Sequence, residues 1–312
     1  MDFQIITDSC CDFPTPMYGQ LGLTFVPLTV EFRGNTFDDK NDDTLKDMYQ
    51  GLRAGEVAKT SAVNPSRWSQ AMEKALAAGK DVLVLAFSSG LSTTYQSAVI
   101  AAEELKDAYP DRKIQVIDTL CASMGQGLLV WYACKKRDEG LSLDEVAQWV
   151  LDNRLHLCHW FTVDDLMYLK RGGRISAATA LVGTMLQIKP LLHVDDEGHL
   201  INMTKTRGRK AAIDAMVKKA QELGAGYDNS TMFISHGDCL SDAEYLSRQL
   251  KEKCGVKDVV IWSRSSSWSV SSMPVMVQLK LTPALDWVLV QMNVMIDLTS
   301  PVGLRKPKSW DC

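Results

Sequence analysis

The sequence predicts an α/β protein with two domains, an N-terminal doubly wound parallel sheet and a C-terminal mixed α/β domain. Short apolar runs alternate with longer helical patterns over residues 1–157, and this alternation is typical of a parallel sheet covered on both faces by helices. A hairpin turn at residues 195–198 interrupts the alternation, which favours a mixed sheet in that region. A chain of 312 residues is long enough for about two domains.

The elements of the first domain, residues 1–157, follow from their apolar patterns and their caps. Residues 81–87 form a continuous apolar run, as in a strand that is buried on both faces. Ser142 and Glu145 form a capping box that begins a helix. The predicted strands are residues 3–6, 23–31, 81–87 and 113–118, and the predicted helices are residues 66–78, 94–109, 121–138 and 142–157.

The second predicted domain covers residues 158–261. An acidic turn, Asp195-Asp196-Glu197-Gly198, joins two apolar runs and predicts a β-hairpin. The predicted strands are residues 159–163, 186–194, 199–205, 231–235 and 258–261, and the predicted helices are residues 164–169, 177–185, 209–223 and 241–253.

Residues 262–312 form an atypical C-terminal segment. Residues 264–272 are rich in serine, and from residue 261 to the last residue there is no glutamate and no histidine. Neither strand nor helix periodicity runs through most of the segment. We interpret the change of composition as a replaced or frameshifted C-terminus, an interpretation that a well-packed closing strand would oppose.

The composition argues against several classes of protein. A net charge of −4 at pH 7 disfavours a general nucleic-acid binder, which is usually basic. No apolar run reaches the roughly 18 residues of a membrane span, and residues 1–6 lack the features of a signal peptide. The eight cysteines show no metal-ligand spacing. We therefore expect a cytoplasmic protein without a metal site and with at most peripheral membrane contact.

Hydroxyl side chains gather at three places. Thr7 and Ser9 flank Asp8 directly after the first strand, where ligands often bind in an open α/β sheet, although a local turn also explains them. Thr60 and Ser61 form the second place. The third holds five hydroxyls between a buried strand and a helix: Ser88, Ser89, Ser92, Thr93 and Thr94. Hydroxyls and free amides there favour an anion, whereas helix capping explains only one or two of them.

Two clusters of positive charge lie near glycines. One contains Lys170, Arg171 and Arg174, and the other contains Arg207 with its basic neighbours in residues 205–210. Such clusters bind phosphate, a membrane surface or an acidic partner. A solvated surface is the alternative interpretation.

The sequence contains no standard arrangement for nucleophilic catalysis. The Gly-x-Ser-x-Gly, Gly-x-Gly-x-x-Gly and phosphate-loop motifs are absent. His236 follows a predicted strand and is the one histidine with active-site character. Two alternatives therefore stay open: a serine hydrolase or phosphotransfer enzyme that uses Ser92 or Ser89 with His236, and a lipid-independent interaction module that uses the basic clusters.

Taken in order, these segments resemble the DegV family. The resemblance spans residues 3–260 and is carried by Ile6-Thr7-Asp8-Ser9, Thr60-Ser61, Ser88-Ser89-Gly90-Leu91-Ser92-Thr93-Thr94-Tyr95-Gln96-Ser97-Ala98, Gly125-Gln126-Gly127, Asp165-Leu166-Met167-Tyr168-Leu169-Lys170-Arg171-Gly172-Gly173-Arg174-Ile175-Ser176, Ile188-Lys189-Pro190 and Lys205-Thr206-Arg207-Gly208-Arg209-Lys210. The sequence departs from the family in one respect, because no histidine follows His236 and the family's closing Gly-x-His-x-Gly-Pro-Gly segment is absent.

The resemblance implies a non-catalytic carrier of a long-chain fatty acid such as palmitate, with no cofactor. It implies that Thr60 and Ser92 bind the carboxylate, and that the carrier presents its ligand to a fatty acid kinase, which makes an acyl phosphate. Lys170, Arg171, Arg174 and Arg207 would then face the kinase or a membrane. We expect a supporting role at the site for Thr7, Ser9, Ser61, Ser88, Ser89, Thr93 and His236.

Overall fold

The computed structural model describes residues 2–39, 42–163, 166–176, 188–224, 231–237, 239–263, 276–280 and 288–289. The strands in these residues are β1 (Phe3–Asp8), β2 (Thr24–Val26), β3 (Thr29–Phe32), β4 (Asn35–Asp38), β5 (Ala58–Ser61), β6 (Asp81–Ala86), β7 (Ile114–Asp118), β8 (Trp160–Thr162), β9 (Ile188–Val194), β10 (Leu200–Arg207), β11 (Thr231–His236), β12 (Asp258–Ser263), β13 (Met276–Lys280) and β14 (Val288–Leu289). The helices are α1 (Thr15–Gln20), α2 (Asp42–Arg53), α3 (Pro65–Ala77), α4 (Thr94–Lys106), α5 (Met124–Asp138), α6 (Leu143–Asn153), α7 (Leu166–Arg171), α8 (Arg209–Leu223) and α9 (Leu240–Cys254).

The first sheet is four-stranded and parallel, with the order β2-β1-β6-β7. All six residues of β6 are buried, as the continuous apolar run predicts for a strand covered on both faces. The predicted capping box also forms, because Ser142 Oγ accepts a hydrogen bond from the Glu145 amide and the Glu145 carboxylate accepts one from the Ser142 amide. The parallel N-terminal sheet is thus confirmed.

A small antiparallel sheet, with the order β4-β3-β5, lies beside the first one. The prediction of a single strand over residues 23–31 is wrong, because β2 pairs with β1 whereas β3 pairs with β4 and β5. Pro27 separates the two strands and has no amide hydrogen for a strand ladder. The chain leaves one sheet and enters the other at this point.

The third sheet is mixed, with the order β10-β9-β8-β13-β11-β12 and with β14 beside β13. The predicted hairpin is confirmed, since β9 and β10 pair antiparallel. Helix α8 has the predicted bounds, and α7 ends two residues later than predicted. The predicted helix over residues 177–185 lies outside the described residues. The mixed C-terminal part of the two-domain α/β fold is therefore also confirmed, while the domain boundaries stay a prediction.

Strand β13 comes from the atypical segment and occupies the middle of the mixed sheet. Val277 pairs with Thr162 of β8 and with His236 of β11, and Gln278 pairs with Phe161 and Ser235. Both edges of β13 are thus paired. A paired closing strand opposes the interpretation of residues 262–312 as a replaced C-terminus. Residues 264–275, 281–287 and 290–312 lie outside the described part of the chain.

The N-terminal part packs tightly against the C-terminal part at Gly125 of α5. A methyl group added at Gly125 would overlap the imidazole of His159, so only a residue without a side chain fits there. In the part of the chain that the structure describes, no helix combines the length and the apolar character needed to cross a bilayer. The same residues contain no group of three or more His, Cys, Asp or Glu side chains suited to a metal ion.

The position of β13 makes Gln278→Pro a test of the C-terminal segment. Because both edges of β13 are paired, the lost amide hydrogen always faces a neighbouring strand and leaves a carbonyl there without its partner. We expect the free energy of unfolding to fall by about 1–3 kcal/mol. Urea denaturation followed by circular dichroism measures this loss. Gln278→Ala keeps the amide and should lose much less; equal stability of the two variants would place residue 278 outside the sheet.

Candidate functional site

The hydroxyls that follow β1 are buried and bonded to the protein itself. Thr7 Oγ1 donates to the Leu85 carbonyl at 2.8 Å and accepts from Gln126 Nε2 at 3.0 Å. Ser9 Oγ donates to Asp39 Oδ2 at 2.7 Å and accepts from the Leu28 amide at 2.9 Å. Both hydroxyl hydrogens are therefore used in bonds within the protein, where they hold the strand ends in place. The supporting role of Thr7 and Ser9 at the site stays a prediction.

Asp8 lies between these hydroxyls and is completely buried. Its carboxylate accepts the Phe87 amide at 2.7 Å and the Cys10 amide at 2.9 Å. Burial raises the pKa of Asp8 from 3.8 to about 6, and the two amides oppose this rise only in part. Asp8 thus joins the end of β1 to the end of β6.

The serine loop, residues 88–92, connects β6 to α4. Ser88 is buried, and its hydroxyl donates to the Gly198 carbonyl at 2.9 Å. Ser89 is half-buried, and its amide donates to Asp118 Oδ1 at 3.2 Å. Thr93, just after the loop, is exposed. The Ser88 hydroxyl therefore joins the loop to the C-terminal part, the Ser89 amide joins it to β7, and Thr93 faces solvent.

Ser92 is half-buried and lies two residues before Thr94, the first residue of α4. Ser92 Oγ is half-buried, accepts the Thr94 amide at 3.2 Å and lies 2.9 Å from Thr94 Oγ1. Either hydroxyl donates in that pair. When Thr94 donates, the hydroxyl hydrogen of Ser92 is available to another acceptor. Ser92 lies at the N-terminus of a 13-residue helix, whose dipole favours an anion.

Thr60 lies on β5, where side chains alternate between two faces. Thr60 is half-buried whereas Ser61 is exposed, so the two hydroxyls point to opposite sides of the strand. Among the residues that the structure describes, no hydrogen bond is formed by the Thr60 hydroxyl. Thr60 therefore offers an uncommitted donor, and Ser61 faces solvent.

Trp68 joins α3, the helix that follows the strand of Thr60, to the start of α4, the helix that follows Ser92. It lies in the first half of α3, directly after β5, and its buried indole nitrogen donates to the Thr94 carbonyl at 3.2 Å. The start of α4 is thus fixed against α3. No hydrogen bond joins Thr60 to Ser92 within the described ranges.

His236 ends β11 and is buried. Its Nδ1 accepts the Cys239 amide at 3.2 Å and closes the turn that follows the strand. Ser92 is bonded to Thr94 within its own loop. Ser92 and His236, two of the three residues of the alternative hydrolase hypothesis, thus have separate hydrogen-bond partners.

The basic residues fall into two kinds. Arg171 and Arg207 are exposed and Lys170 is half-buried, as expected for a contact surface. Arg174 is half-buried, and its Nε donates to the Leu91 carbonyl of the serine loop at 3.2 Å. The sequence pattern could not distinguish Arg174 from the other three, because its partner lies 83 residues away along the chain.

A cleft of about 390 Å³ lies elsewhere, between the end of β7 and the hairpin of β9 and β10. Its walls include Arg154, Trp160 and His193, and the Trp160 and His193 rings are stacked with centroids 4.8 Å apart. Neither Thr60 nor Ser92 lines this cleft. Its lining thus contains neither of the two hydroxyls expected to bind a carboxylate.

Asp8→Asn tests the buried carboxyl. Because the pKa of Asp8 is raised on folding, its protonated form stabilises the native state below about pH 4, and this stabilisation is lost as the pH rises through about 6. The wild type should therefore lose roughly 3 kcal/mol relative to Asp8→Asn between pH 4 and pH 7. Denaturation midpoints across this range measure the difference, and a hydrogen bond lost in the variant cancels because it does not depend on pH. Parallel curves would contradict the raised pKa.

Three comparisons place the chain among known proteins. A family model described as "Uncharacterised protein, DegV family" matches residues 2–276. A DegV domain-containing protein of Clostridium perfringens is 43% identical over 261 residues, which cover 83% of this chain and 90% of the relative.

Two solved structures extend the similarity to the fold. A structure described as fatty acid binding of a DegV family protein from Thermus thermophilus is 31% identical, with a TM-score of 0.79 over 89% of this chain and 98% of that one. The Fatty Acid Kinase (Fak) B3 protein of Streptococcus pneumoniae, loaded with linoleic acid, is 26% identical, with a TM-score of 0.76 over 89% and 98%. The extent of these matches and the motifs described above show that the chain belongs to the DegV family.

Proposed function

We propose that this protein is a non-catalytic carrier that buries one long-chain fatty acid and binds its carboxylate with Thr60 and Ser92. The carrier requires no cofactor, because the ligand is held by hydroxyls, amides and apolar contacts alone. Thr7, Ser9, Ser88 and Ser89 support the site by holding the strand ends and the serine loop in place, and His236 bonds the amide of Cys239 after β11, whereas Ser61 and Thr93 are exposed.

The observation that carries this proposal is the pair of half-buried donors at Thr60 and Ser92. Thr60 is uncommitted within the described residues, and Ser92 has a hydrogen to donate when Thr94 donates to it. Hydroxyls suit a carboxylate because they carry no charge of their own and still satisfy the buried anion, which is very costly to leave unpaired. The N-terminus of α4 adds its dipole.

The acyl chain would supply most of the affinity. Each buried methylene contributes about 0.8 kcal/mol, so the chain of a long fatty acid outweighs the contribution of the two hydroxyls. The relatives support this assignment, since solved structures at 31% and 26% identity are described with fatty acids. This chain has no histidine after His236, so the two hydroxyls and the helix amides are the proposed donors to the carboxylate.

We also propose that the carrier works in the cytoplasm and presents its fatty acid to a partner kinase, which forms the acyl phosphate. One structural relative is named as a fatty acid kinase B protein. Lys170, Arg171 and Arg207 offer positive charge to an acidic docking surface. The proposed domain boundaries, 1–157 and 158–261, assign the carboxylate donors to the first domain and these basic residues to the second. Residues 262–312 form the atypical terminal segment, which supplies β13 to the mixed sheet.

Palmitate uptake tests the carrier. The wild type should bind one palmitate, detected by native mass spectrometry, and Thr60→Ala combined with Ser92→Ala should weaken binding by roughly ten- to hundredfold for each hydroxyl lost. Ser61→Ala combined with Thr93→Ala is the matched control, because these neighbouring hydroxyls are exposed. A wild type that takes up no palmitate, or a control that loses as much affinity, would exclude the proposed site.

Acyl-phosphate formation tests the kinase partnership. The palmitate-loaded carrier, a purified fatty acid kinase catalytic subunit and ATP should yield a hydroxamate when hydroxylamine is added. Arg171→Glu combined with Arg207→Glu should lower this yield without changing palmitate affinity, because reversed charges repel an acidic surface. Lys251→Glu, an exposed charge reversal on α9, is the control; equal losses in both variants would remove the basic surface from the proposal.

A further inference from the structure

The tip of the hairpin between β9 and β10 is rigid. Asp195 Oδ1 accepts the amides of Glu197 at 3.0 Å and His199 at 2.8 Å. The Gly198 amide donates to the Asp195 carbonyl at 3.0 Å. Gly198 has a φ of +79°, a conformation that residues with a Cβ rarely adopt. The hairpin therefore presents its last carbonyls in a fixed direction.

This rigid tip lies directly on the serine loop. The Gly198 carbonyl accepts the Ser88 hydroxyl at 2.9 Å in a buried contact. A Cβ built on Gly90 would lie 2.9 Å from the carbonyl oxygens of both Glu197 and Gly198. The backbone of Gly90 thus packs against the hairpin without room for a methyl group.

Arg174 contacts the same loop from a second direction. Its Nε donates to the Leu91 carbonyl at 3.2 Å, and its guanidinium also donates to the Gly172 carbonyl. The Arg174 amide donates to the carbonyl of Leu169, a buried residue of α7, at 2.9 Å. Arg174 is therefore anchored to α7, and its side chain is half-buried rather than free on the surface.

Ser92 is joined to the rest of the serine loop by backbone hydrogen bonds. The amides of Leu91 and Ser92 both donate to the Ser88 carbonyl, at 3.1 and 3.2 Å, so residues 88–92 form one tight turn. On the N-terminal side, Asp8 and Asp118 hold the loop through the amides of Phe87 and Ser89. The Gly198 tip and Arg174 hold it from the C-terminal side.

We propose that the Gly198 tip and Arg174 form an interdomain clamp on the serine loop, and that this clamp sets the rate at which the bound fatty acid leaves. Arg174, Gly198 and Gly90 are positioning residues, because they act on the carboxylate through Ser92. The proposal rests on the proposed fatty-acid site. In this role Arg174 differs from Lys170 and Arg171, because its side chain contacts the serine loop.

Two substitutions open the clamp by different means. Gly90→Ala places a methyl group against the hairpin carbonyls, and Arg174→Met removes the donor to Leu91 while keeping an unbranched side chain. Each should speed the dissociation of palmitate roughly three- to tenfold, the range expected for one lost hydrogen bond, with little change in the association rate. Stopped-flow displacement by a fluorescent fatty acid measures both rates.

Matched controls separate the clamp from general destabilisation. Gly19→Ala adds the same methyl group where nothing lies within 4 Å, and Arg248→Met removes the same charge from an exposed side chain of α9. Both should leave the dissociation rate unchanged. Arg174→Gln retains an N–H donor and should restore part of the slow release. Controls that match the clamp variants, or a Gln variant that behaves as the Met variant does, would overturn the proposal.

Hydrogen exchange of lipid-free protein decides whether the clamp exists independently of fatty-acid binding. The amides of Leu91 and Ser92 should exchange faster in Gly90→Ala and Arg174→Met, while those of β6 stay protected as in the wild type. Unchanged exchange overturns the clamp, even if the wild type binds palmitate. Faster exchange in a protein that binds no palmitate overturns the proposed function alone, and faster exchange with an unchanged release rate overturns the control of release.

Discussion

The candidate site depends on carboxylates that accept backbone amides beyond the ends of the parallel strands. A strand ladder cannot satisfy those amides, and a buried amide without a partner is costly. Asp8 accepts the Phe87 amide at 2.7 Å, and Asp118 accepts the Ser89 amide at 3.2 Å. The serine loop is thus held between the ends of β1 and β7, and the direction in which Ser92 points follows from this arrangement. The raised pKa of Asp8 is the energetic consequence of burying the carboxyl group that forms one of these links.

Much of the fold could be predicted from the sequence, because the patterns that predict it lie close to the elements themselves. The continuous apolar run of β6, the capping box at Ser142 and the acidic hairpin turn each lie within a few residues of the element that they predict. Errors arise where pairing over long distances decides the outcome. Residues 23–31 share one β-forming composition, yet Pro27 divides them between two sheets. No local pattern states which sheet a strand will join.

The same contrast between local sequence patterns and distant contacts applies to the candidate site. The positions of the hydroxyl-rich segments follow from the sequence, but their roles depend on partners far along the chain. Ser88 bonds to Gly198, 110 residues away, and Gln126 bonds to Thr7, 119 residues away. Within the described residues, the Thr60 hydroxyl forms no hydrogen bond and the Ser92 hydroxyl pairs with Thr94, whereas the Ser88 hydroxyl is used in the contact with Gly198. Arg174 looks like another surface cation in the sequence, and only its contact with Leu91 distinguishes it.

The place of β13 in the mixed sheet has a consequence for biosynthesis. Strands β10, β9 and β8 form one half of that sheet, β11 and β12 form the other, and β13 lies between the halves. The ribosome makes β13 after all five of these strands, so the two halves can meet only late in translation. Contacts between distant parts of a chain form slowly, and unpaired strand edges are prone to aggregation meanwhile. The edges of β8 and β11 that face β13 therefore stay unpaired in the nascent chain until β13 has been made.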